Sequence, residues 1–258
     1  MITMGIDIGS AASKAVIMED GVRILAKGVR SFGIGTSGPV EVYETVLKKA
    51  GVAREKIDCL MATGYGRTGF AEADCQASEL SCHGKGMSFL IPGIRTVIDI
   101  GGQDAKVMEI NERGALLKFV MNDKCAAGTG RFLEVMAKVL GMNVEMLGEV
   151  SRGSAKELNI SNVCTVFAES EVISHLASQE TVPDVVAGIH RSVAKRVVGL
   201  GSRIGFKPDI AISGGVALNE GVVYAIEKEI KCRIRTHPDA QLAGACGAAI
   251  LAYEKTAK

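Results

Sequence analysis

Two stretches of the chain end an apolar run in aspartate, place a glycine two positions on, and add a lysine seven positions beyond the aspartate. They are residues 6–21, IDIGSAASKAVIMEDG, and residues 98–114, IDIGGQDAKVMEINERG. Asp7, Gly9 and Lys14 match Asp99, Gly101 and Lys106 at one common spacing, which marks an internal duplication. A third stretch, Ser213-Gly214-Gly215-Val216-Ala217-Leu218-Asn219, joins a strand pattern to a helix pattern. Glycine lets backbone N–H groups approach phosphate oxygens, and a turn of such groups forms an anion nest. A carboxylate beside a phosphate repels it unless Mg²⁺ or its waters lie between. Gly214-Gly215 stands where a ligand can rest against backbone and helix dipole. Each glycine segment alone reads as a tight turn. The three together, two of them copies, point to phosphate binding. No Walker A motif occurs, which disfavours that phosphate-binding family.

A second kind of chemistry is available at Cys125, in NDKCAAGTGRF, and Cys164, in VCTVFAESE. Each precedes a helix start, where positive dipole charge favours a thiolate. They are too far apart in sequence for a CxxC pair, and two thiolates do not complete a tetrahedral soft-metal site. A two-fold dimer would gather four, the usual ligand set of a [4Fe–4S] cluster. Spacing alone leaves two other readings open: buried small hydrophobes, or a Cys₄ zinc site across a dimer.

These residues need strands and helices to hold them. In both copies, strand, turn, strand, turn, strand reads as a three-stranded antiparallel meander. Asp20-Gly21 and residues 111–114 mark the second turns, and the third strands are expected at Arg23–Arg30 and Ala115–Met121. Helical patterns follow at Val40–Ala50 and Gly130–Leu140, then at Ala168–Ser178 and Pro183–Ile204. A buried strand is expected at Asp209–Ser213, a helix at Leu218–Ile230, a last strand at Lys231–Thr236 and a C-terminal helix from Ala240. The expected domains are a first lobe, 1–92, a second, 93–240, and a closing helix, 241–258, packed back on the first. Duplicated lobes imply a cleft.

The 258 residues are 47% hydrophobic and 4% aromatic, with 31 glycines, the profile of an α/β protein with many tight turns. Formal net charge is +1, which gives no electrostatic reason to expect nucleic acid or an anionic membrane as partner. There is no run of about 20 apolar residues, so no membrane-spanning helix is expected. The N-terminus reads as a strand without signal-peptide features, which leads to a cytoplasmic expectation. In that compartment the 7 cysteines are not expected to form disulfides.

The paired Asp-Gly hairpins and the strand–Gly-Gly–helix segment resemble the superfamily of actin, sugar kinases and the seventy-kilodalton heat-shock chaperones. That resemblance implies a duplicated ribonuclease H-like, two-lobed ATPase fold of α/β class with ATP in its cleft. It implies that Gly9, Ser10, Ala11, Ala12, Ser13 and Lys14 grip the β- and γ-phosphates. Asp7 and Asp99 would order Mg²⁺ or its waters. Gly101, Gly102, Gln103 and Asp104 would lie near the γ-phosphate and the attacking water. Gly214, Gly215, Val216 and Asn219 would face the nucleoside.

KCAAGTGRFLE, CTVFAESEVISH, GIHRSVA, ATGYGR, SELSCHG and VIDIGGQD, spread over essentially the whole chain, are similar to the activators of 2-hydroxyacyl-CoA dehydratases, relatives of the benzoyl-CoA reductase ATPase subunits. This resemblance implies one oxygen-labile [4Fe–4S] cluster per homodimer, held by Cys125 and Cys164 of each subunit. It implies an ATP-driven electron donor of anaerobic metabolism, filled by ferredoxin or flavodoxin and serving a dehydratase. The competing readings are a small-molecule kinase of the same fold, an ATP-dependent clamp, and an activator of another acceptor such as an aryl-CoA reductase. Cys59, Cys75, Cys82, Cys232 and Cys246 match no metal pattern and are read as structural, Cys82 beside His83 standing least apart from function. His190 reads as packing or capping, Glu169 and Glu171 as a solvated helix face, a charge near the cluster or a contact to the partner, and His175 and His237 have no ligand partners nearby in sequence. Arg67 lies in a loop after a strand, where functional residues are common.

Overall fold

In the first copy of the duplicated segment, alternating buried side chains produce β1 (Ile2–Ile8), β2 (Ser13–Glu19) and β3 (Arg23–Arg30) as an antiparallel meander. The computed structural model describes residues 1–257. Beyond the meander come α1 (Gly38–Ala50), β4 (Cys59–Thr63), β5 (Cys75–Gln76) and α2 (Glu79–Leu90). β4 lies parallel to β1 and β5 parallel to β4, giving the order β3-β2-β1-β4-β5.

The second copy forms β6 (Thr96–Ile100), β7 (Ala105–Ile110) and β8 (Leu116–Asn122). Then follow α3 (Gly130–Val139), α4 (Leu147–Val150), α5 (Thr165–Ala177), α6 (Val182–Gly201), β9 (Ile210–Ser213), α7 (Glu220–Ile230) and β10 (Ile234–Arg235). The sheet order is β10-β9-β6-β7-β8, the same topology as the first. A closing helix, α8 (Ala243–Thr256), ends the described chain. Lys258, the last residue of the expected segment 241–258, lies outside the described residues.

The residues group into two units: 1–95, 110–117 and the segment from His237, and 96–109 with 118–236. Residues 110–117 join the first because Gly114 packs on Gly84 and Lys85 of α2, and Lys85 Nζ donates to the Arg113 carbonyl at 3.4 Å.

Within the first unit the sheet is covered on both faces, so β1, β2 and β4 are buried nearly throughout. Met4, Ile6, Ile8 and Ile17 meet Val42 and Val46 of α1 on one face. Full burial of each such valine contributes about 1.5–3 kcal/mol. On the other face Val16 and Met18 meet Ala245, Cys246 and Ala249 of α8. The small residues of AGACGAAILA let α8 lie close against β1 and α2.

Several element ends differ from expectation for local reasons. α5 begins at Thr165, capped by Cys164, ahead of the expected Ala168. α7 begins at Glu220 because Gly215–Leu218 forms a 3₁₀ turn and Asn219 takes the N-cap. β10 shrinks to Ile234–Arg235, since Lys231 adopts a left-handed conformation with φ 54° and residues 231–233 are exposed. α8 starts after a 3₁₀ turn at Ala240–Leu242.

Candidate active site and metal centre

Register brings each aspartate to its lysine. Asp7 on β1 faces Lys14 on β2, and Asp99 on β6 faces Lys106 on β7. Residues directly opposite in an antiparallel pair project to the same side. Lys14 Nζ therefore lies 3.1 Å from Asp7 Oδ2, and Lys106 Nζ lies 3.1 Å from Asp99 Oδ2. Both aspartates are buried, at 3% and 1% exposure, so each needs that cation.

The turns match as well. Gly9 N–H donates to the Ala12 carbonyl at 3.0 Å, and Gly101 N–H to the Asp104 carbonyl at 2.9 Å. In the first hairpin, Ile34 N–H donates to the Gly9 carbonyl at 2.9 Å, and Ser13 Oγ donates to the Phe32 carbonyl at 2.9 Å. The buried Ser13 hydroxyl is thus committed to the loop, and the half-exposed turn Gly9 to Ala12 is what remains open to a ligand. His83 Nε2 sits 4.0 Å from Asp7 Oδ2, a neighbour that the sequence did not assign to this group.

In the second hairpin, Lys106 Nζ also meets Asp104 Oδ2 at 2.5 Å, and Ser213 Oγ donates to Asp99 Oδ1 at 2.7 Å. The first N–H groups of α3 are spent on the turn: Gly130 N–H on the Gly101 carbonyl at 2.9 Å, Arg131 N–H on the Gly102 carbonyl at 2.8 Å. Gln103 stands exposed at the tip. Gly214 has φ 86°, and a Cβ there would strike the Ile100 carbonyl, so only glycine fits between β6 and the turn into α7. These oxygen-only donors suit Mg²⁺, a hard cation that keeps water ligands.

Asn219 caps α7: its Oδ1 accepts from Val222 N–H at 3.1 Å, and its Nδ2 faces His190 Nε2 at 3.3 Å. Beside it, a cavity of about 1100 Å³ opens in the second unit, lined by residues 148–158 in part, by α6 and by α7. Asp184, at the start of α6, holds one wall. Its Oδ1 accepts from Ala155 N–H and Lys156 N–H, each at 2.7 Å, and from Ser154 Oγ at 3.1 Å. Its Oδ2 accepts from Thr181 Oγ1 at 2.6 Å. The Thr181 hydroxyl, followed by the Lys156 backbone, pulls its pKa down to about 2. A smaller cavity of about 460 Å³ at the end of α3 touches none of these groups.

Cys125 and Cys164 come to one face of the second unit. Cys125 Sγ lies 3.8 Å from the carbonyl oxygen of Val163, the neighbour of Cys164. Asn122 Nδ2 fixes the first loop by donating to the Cys125 carbonyl at 2.8 Å. Glu171 fixes the second by accepting from Ser161 N–H at 2.6 Å, so Glu171 is no free solvated charge. Both thiols are half-buried, and Val163, Val166 and Phe167 beside them are exposed. Thr165 Oγ1, next to Cys164 in sequence, is buried with no hydrogen-bond partner. No group of three or more His, Cys, Asp or Glu is placed to hold a metal among the described residues. Cys125 and Cys164 are soft donors of the type an iron–sulfur cluster takes, two short of a Cys₄ set.

The other cysteines have structural surroundings. Burial pushes the Cys82 and Cys246 thiols up to about 12 and Cys75 up to about 11, and Cys59 Sγ lies 3.5 Å from Cys75 Sγ. Cys232 is exposed. Arg67 closes its own loop by donating to the Gly64 carbonyl at 3.0 Å. His175 Nε2 is 3.3 Å from the Asn159 carbonyl oxygen. Among the described residues, no helix is long and apolar enough to cross a membrane. Asp184 is the positioning residue that sequence reasoning missed. Thr181, three residues ahead of it and before a proline, was the available signal of a capped helix start.

The model of the BadF/BadG/BcrA/BcrD ATPase family matches residues 4–252. The chain is similar to the activator of the 2-hydroxyisocaproyl-CoA dehydratase from Clostridium difficile with bound ADPNP. The two share 53% identity and a TM-score of 0.96, over 100% of this chain and 96% of that one. It is also similar to component A of the (R)-2-hydroxyglutaryl-CoA dehydratase from Acidaminococcus fermentans, at 51% identity and TM-score 0.97 over 100% of both chains. A ROK family glucokinase from Streptomyces griseus, at 18% identity and TM-score 0.57 over 98% of this chain and 100% of that one, shares the fold alone.

Proposed function

The chain belongs to the BadF/BadG/BcrA/BcrD ATPase family, and from that premise we propose that it is the ATP-hydrolysing activator of a 2-hydroxyacyl-CoA dehydratase. It gives its partner one electron at a time. The observation that carries this reading is the convergence of Cys125 and Cys164 on one surface of a unit that also carries an Asp-Lys phosphate hairpin. A kinase or a clamp of the same fold has no use for such a pair.

In this reading Lys14 offers its remaining N–H donors to the phosphates of ATP, Lys106 adds positive charge to the second turn, and Asp7 and Asp99 order Mg²⁺ or its waters. The backbone of Gly9 to Ser13 and of Gly101 and Gly102 cradles the phosphate oxygens. Gln103 and Asp104 orient the water that attacks the γ-phosphorus as its bond to ADP breaks. Gly214, Gly215, Val216 and Asn219 border the nucleoside, with the adjoining cavity accommodating it. Cys125 and Cys164 from two copies hold a [4Fe–4S] cluster, which when bound supplies one-electron chemistry. The exposed Val163, Val166 and Phe167 support a homodimer, since apolar surface beside a shared site is covered by the second copy. A ferredoxin or flavodoxin is the electron source, and the setting is anaerobic and cytoplasmic.

The test is an anaerobic purification with iron and sulfide counted per dimer, and EPR spectra after dithionite with and without ATP. About four iron per dimer, lost in Cys125→Ser, with a signal that responds to ATP, supports the proposal. An iron-free protein that still hydrolyses ATP overturns it.

A further inference from the structure

His190 is 1% exposed on α6, and its two ring nitrogens have different surroundings. Nε2 faces Asn219 Nδ2 at 3.3 Å. The orientation of that amide is fixed, because Asn219 Oδ1 is the acceptor for Val222 N–H at 3.1 Å. Asn219 therefore presents N–H to the ring, and Nε2 must accept. A neutral imidazole has one donor and one acceptor nitrogen, so the proton resides on Nδ1. Burial lowers the pKa of His190 to about 4, which keeps the ring neutral. Nδ1–H is then a buried donor, and it has no acceptor in the protein.

The two edges of the ring also face different spaces. Asn219, on the Nε2 side, is not part of the cavity wall, whereas His190, Gly221 and Ser151 are. The Nδ1 edge faces those two wall residues. A Cβ on Gly221 would collide with Nδ1 and lie 2.6 Å from Ser151 Oγ. Ser151 Oγ donates to the Gly148 carbonyl at 2.9 Å and makes no hydrogen bond with Nδ1. The unpaired N–H thus belongs to the cavity side of the ring, among groups that have no carbonyl to give it.

We infer that His190 is a specificity-determining residue for the nucleoside: its Nδ1–H is held ready for N1 of an adenine lodged in the cavity beside α7, an acceptor where guanine has an N–H. This rests on the assignment of the adjoining Gly214–Asn219 segment to the nucleoside, and it adds the group that reads it. A site built around a buried donor discriminates strongly, since a ligand without the matching acceptor leaves that donor unpaired. The backbone hairpins, by contrast, touch only phosphates, which every nucleotide carries.

Two variants separate the ring's edges. Asn at 190 keeps an N–H donor near the Nδ1 position. Gln reaches the Nε2 position and loses the Nδ1 donor. His190→Gln should weaken Mg·ADP binding by calorimetry, and raise KM for ATP, by about tenfold, the value of one lost hydrogen bond, with kcat held. His190→Asn should stay within about threefold of the parent. The ADP-over-GDP preference should narrow in His190→Gln and persist in His190→Asn. Should either variant unfold, the parent dimer still decides the matter. With ¹⁵N-labelled histidine, the Nδ1–H signal should be present in the free protein and move when Mg·ADP saturates. An unmoved signal, or His190→Gln binding Mg·ADP like the parent, overturns the inference while leaving the ATPase reading standing. A parent chain that binds no Mg·ADP removes the ATPase reading itself.

Discussion

The two hairpins began as copies, and the structure shows where they parted. Both keep the Asp-Lys register pair at 3.1 Å and the same glycine turn bond. The first turn fills its tip with Ala11 and Ala12, and its Lys14 side chain is 13% exposed. The second places Gln103 and Asp104 at the same positions, buries the Lys106 side chain to 3% exposure, and adds Ser213 to the carboxylate. It also receives the first N–H groups of α3, five and six residues past Cys125. The first hairpin therefore ends in methyl groups, and the second carries an amide and a carboxylate at its tip. A shift of the second turn bears on α3 directly, and through α3 on the loop that holds Cys125.

The largest expected contrast is between the two lysines. Lys106→Ala leaves Asp99 and Asp104 without their cation in a nearly dry site, a cost of about 3–5 kcal/mol for breaking a buried pair. Lys14→Ala strands one carboxylate at a wetter site, for about 1–2 kcal/mol. Urea melts of the two variants measure this under anaerobic conditions. Equal losses would mean that the hairpins are electrostatically alike after all.

Acid should act first on the second unit. His190 has its pKa lowered from 6.5 to about 4 by burial. A base depressed in the folded state gives stability that is complete above 6.5 and fades as pH falls toward 4. The slope is at most about 1.4 kcal/mol per pH unit for one proton. Asp184, lowered from 3.8 to about 2, extends the loss below that window: its contribution is present above 3.8 and goes as pH falls through 2. Stability measured from pH 7 to 4 should fall less steeply in His190→Gln than in the parent, and hydrogen exchange at pH 4 should open α6 before β1 and β2.

What could be read from the sequence follows from which forces are local. The repeated hairpins were legible from strand period and turn length, and β3 falls on the expected Arg23–Arg30, but the pairing of each aspartate with its lysine emerged only from the strand register. α3 and α6 follow their apolar periodicity. α2 was not anticipated, because SELSCHGKGMSFL carries two glycines, whose purpose is close packing on α8. β5 was missed, and β4 was read only as a strand of unstated bounds ahead of Arg67, because short buried strands lack an alternating signal. At the site, the residue types were visible, but the grip of Asp184 on residues 154–156, the bond of Glu171 to Ser161, and the orphaned Nδ1 of His190 depend on contacts distant in sequence.

Gln103 tests whether the second turn alone is chemical. Gln103→Ala makes its tip resemble Ala11 in the first. The side chain is exposed and supports no packing, so the melting midpoint should hold. Losing a group that orients the attacking water should lower kcat for ATP about 100-fold, with KM little changed. A parent-like kcat would move the catalytic role away from this turn.

The smallest contrast is between the two hydroxyls. Ser213 gives its hydrogen bond to the Asp99 carboxylate at 2.7 Å, and Ser13 gives its own to the Phe32 carbonyl at 2.9 Å. A bond to a charged acceptor is worth about 1.5–3 kcal/mol and one to a neutral carbonyl about 1 kcal/mol. Ser213→Ala should therefore destabilise by about 2 kcal/mol and Ser13→Ala by about 1 kcal/mol. The sign of this difference matters more than its size. If Ser13→Ala proves the costlier, the loop at Phe32 is holding the first hairpin in place, and that hairpin depends on its cover as the second depends on α3. If Ser213→Ala is costlier, as expected, the carboxylate at Asp99 needs Ser213 as well as Lys106. The second copy has then acquired its polar tip together with a more elaborate support.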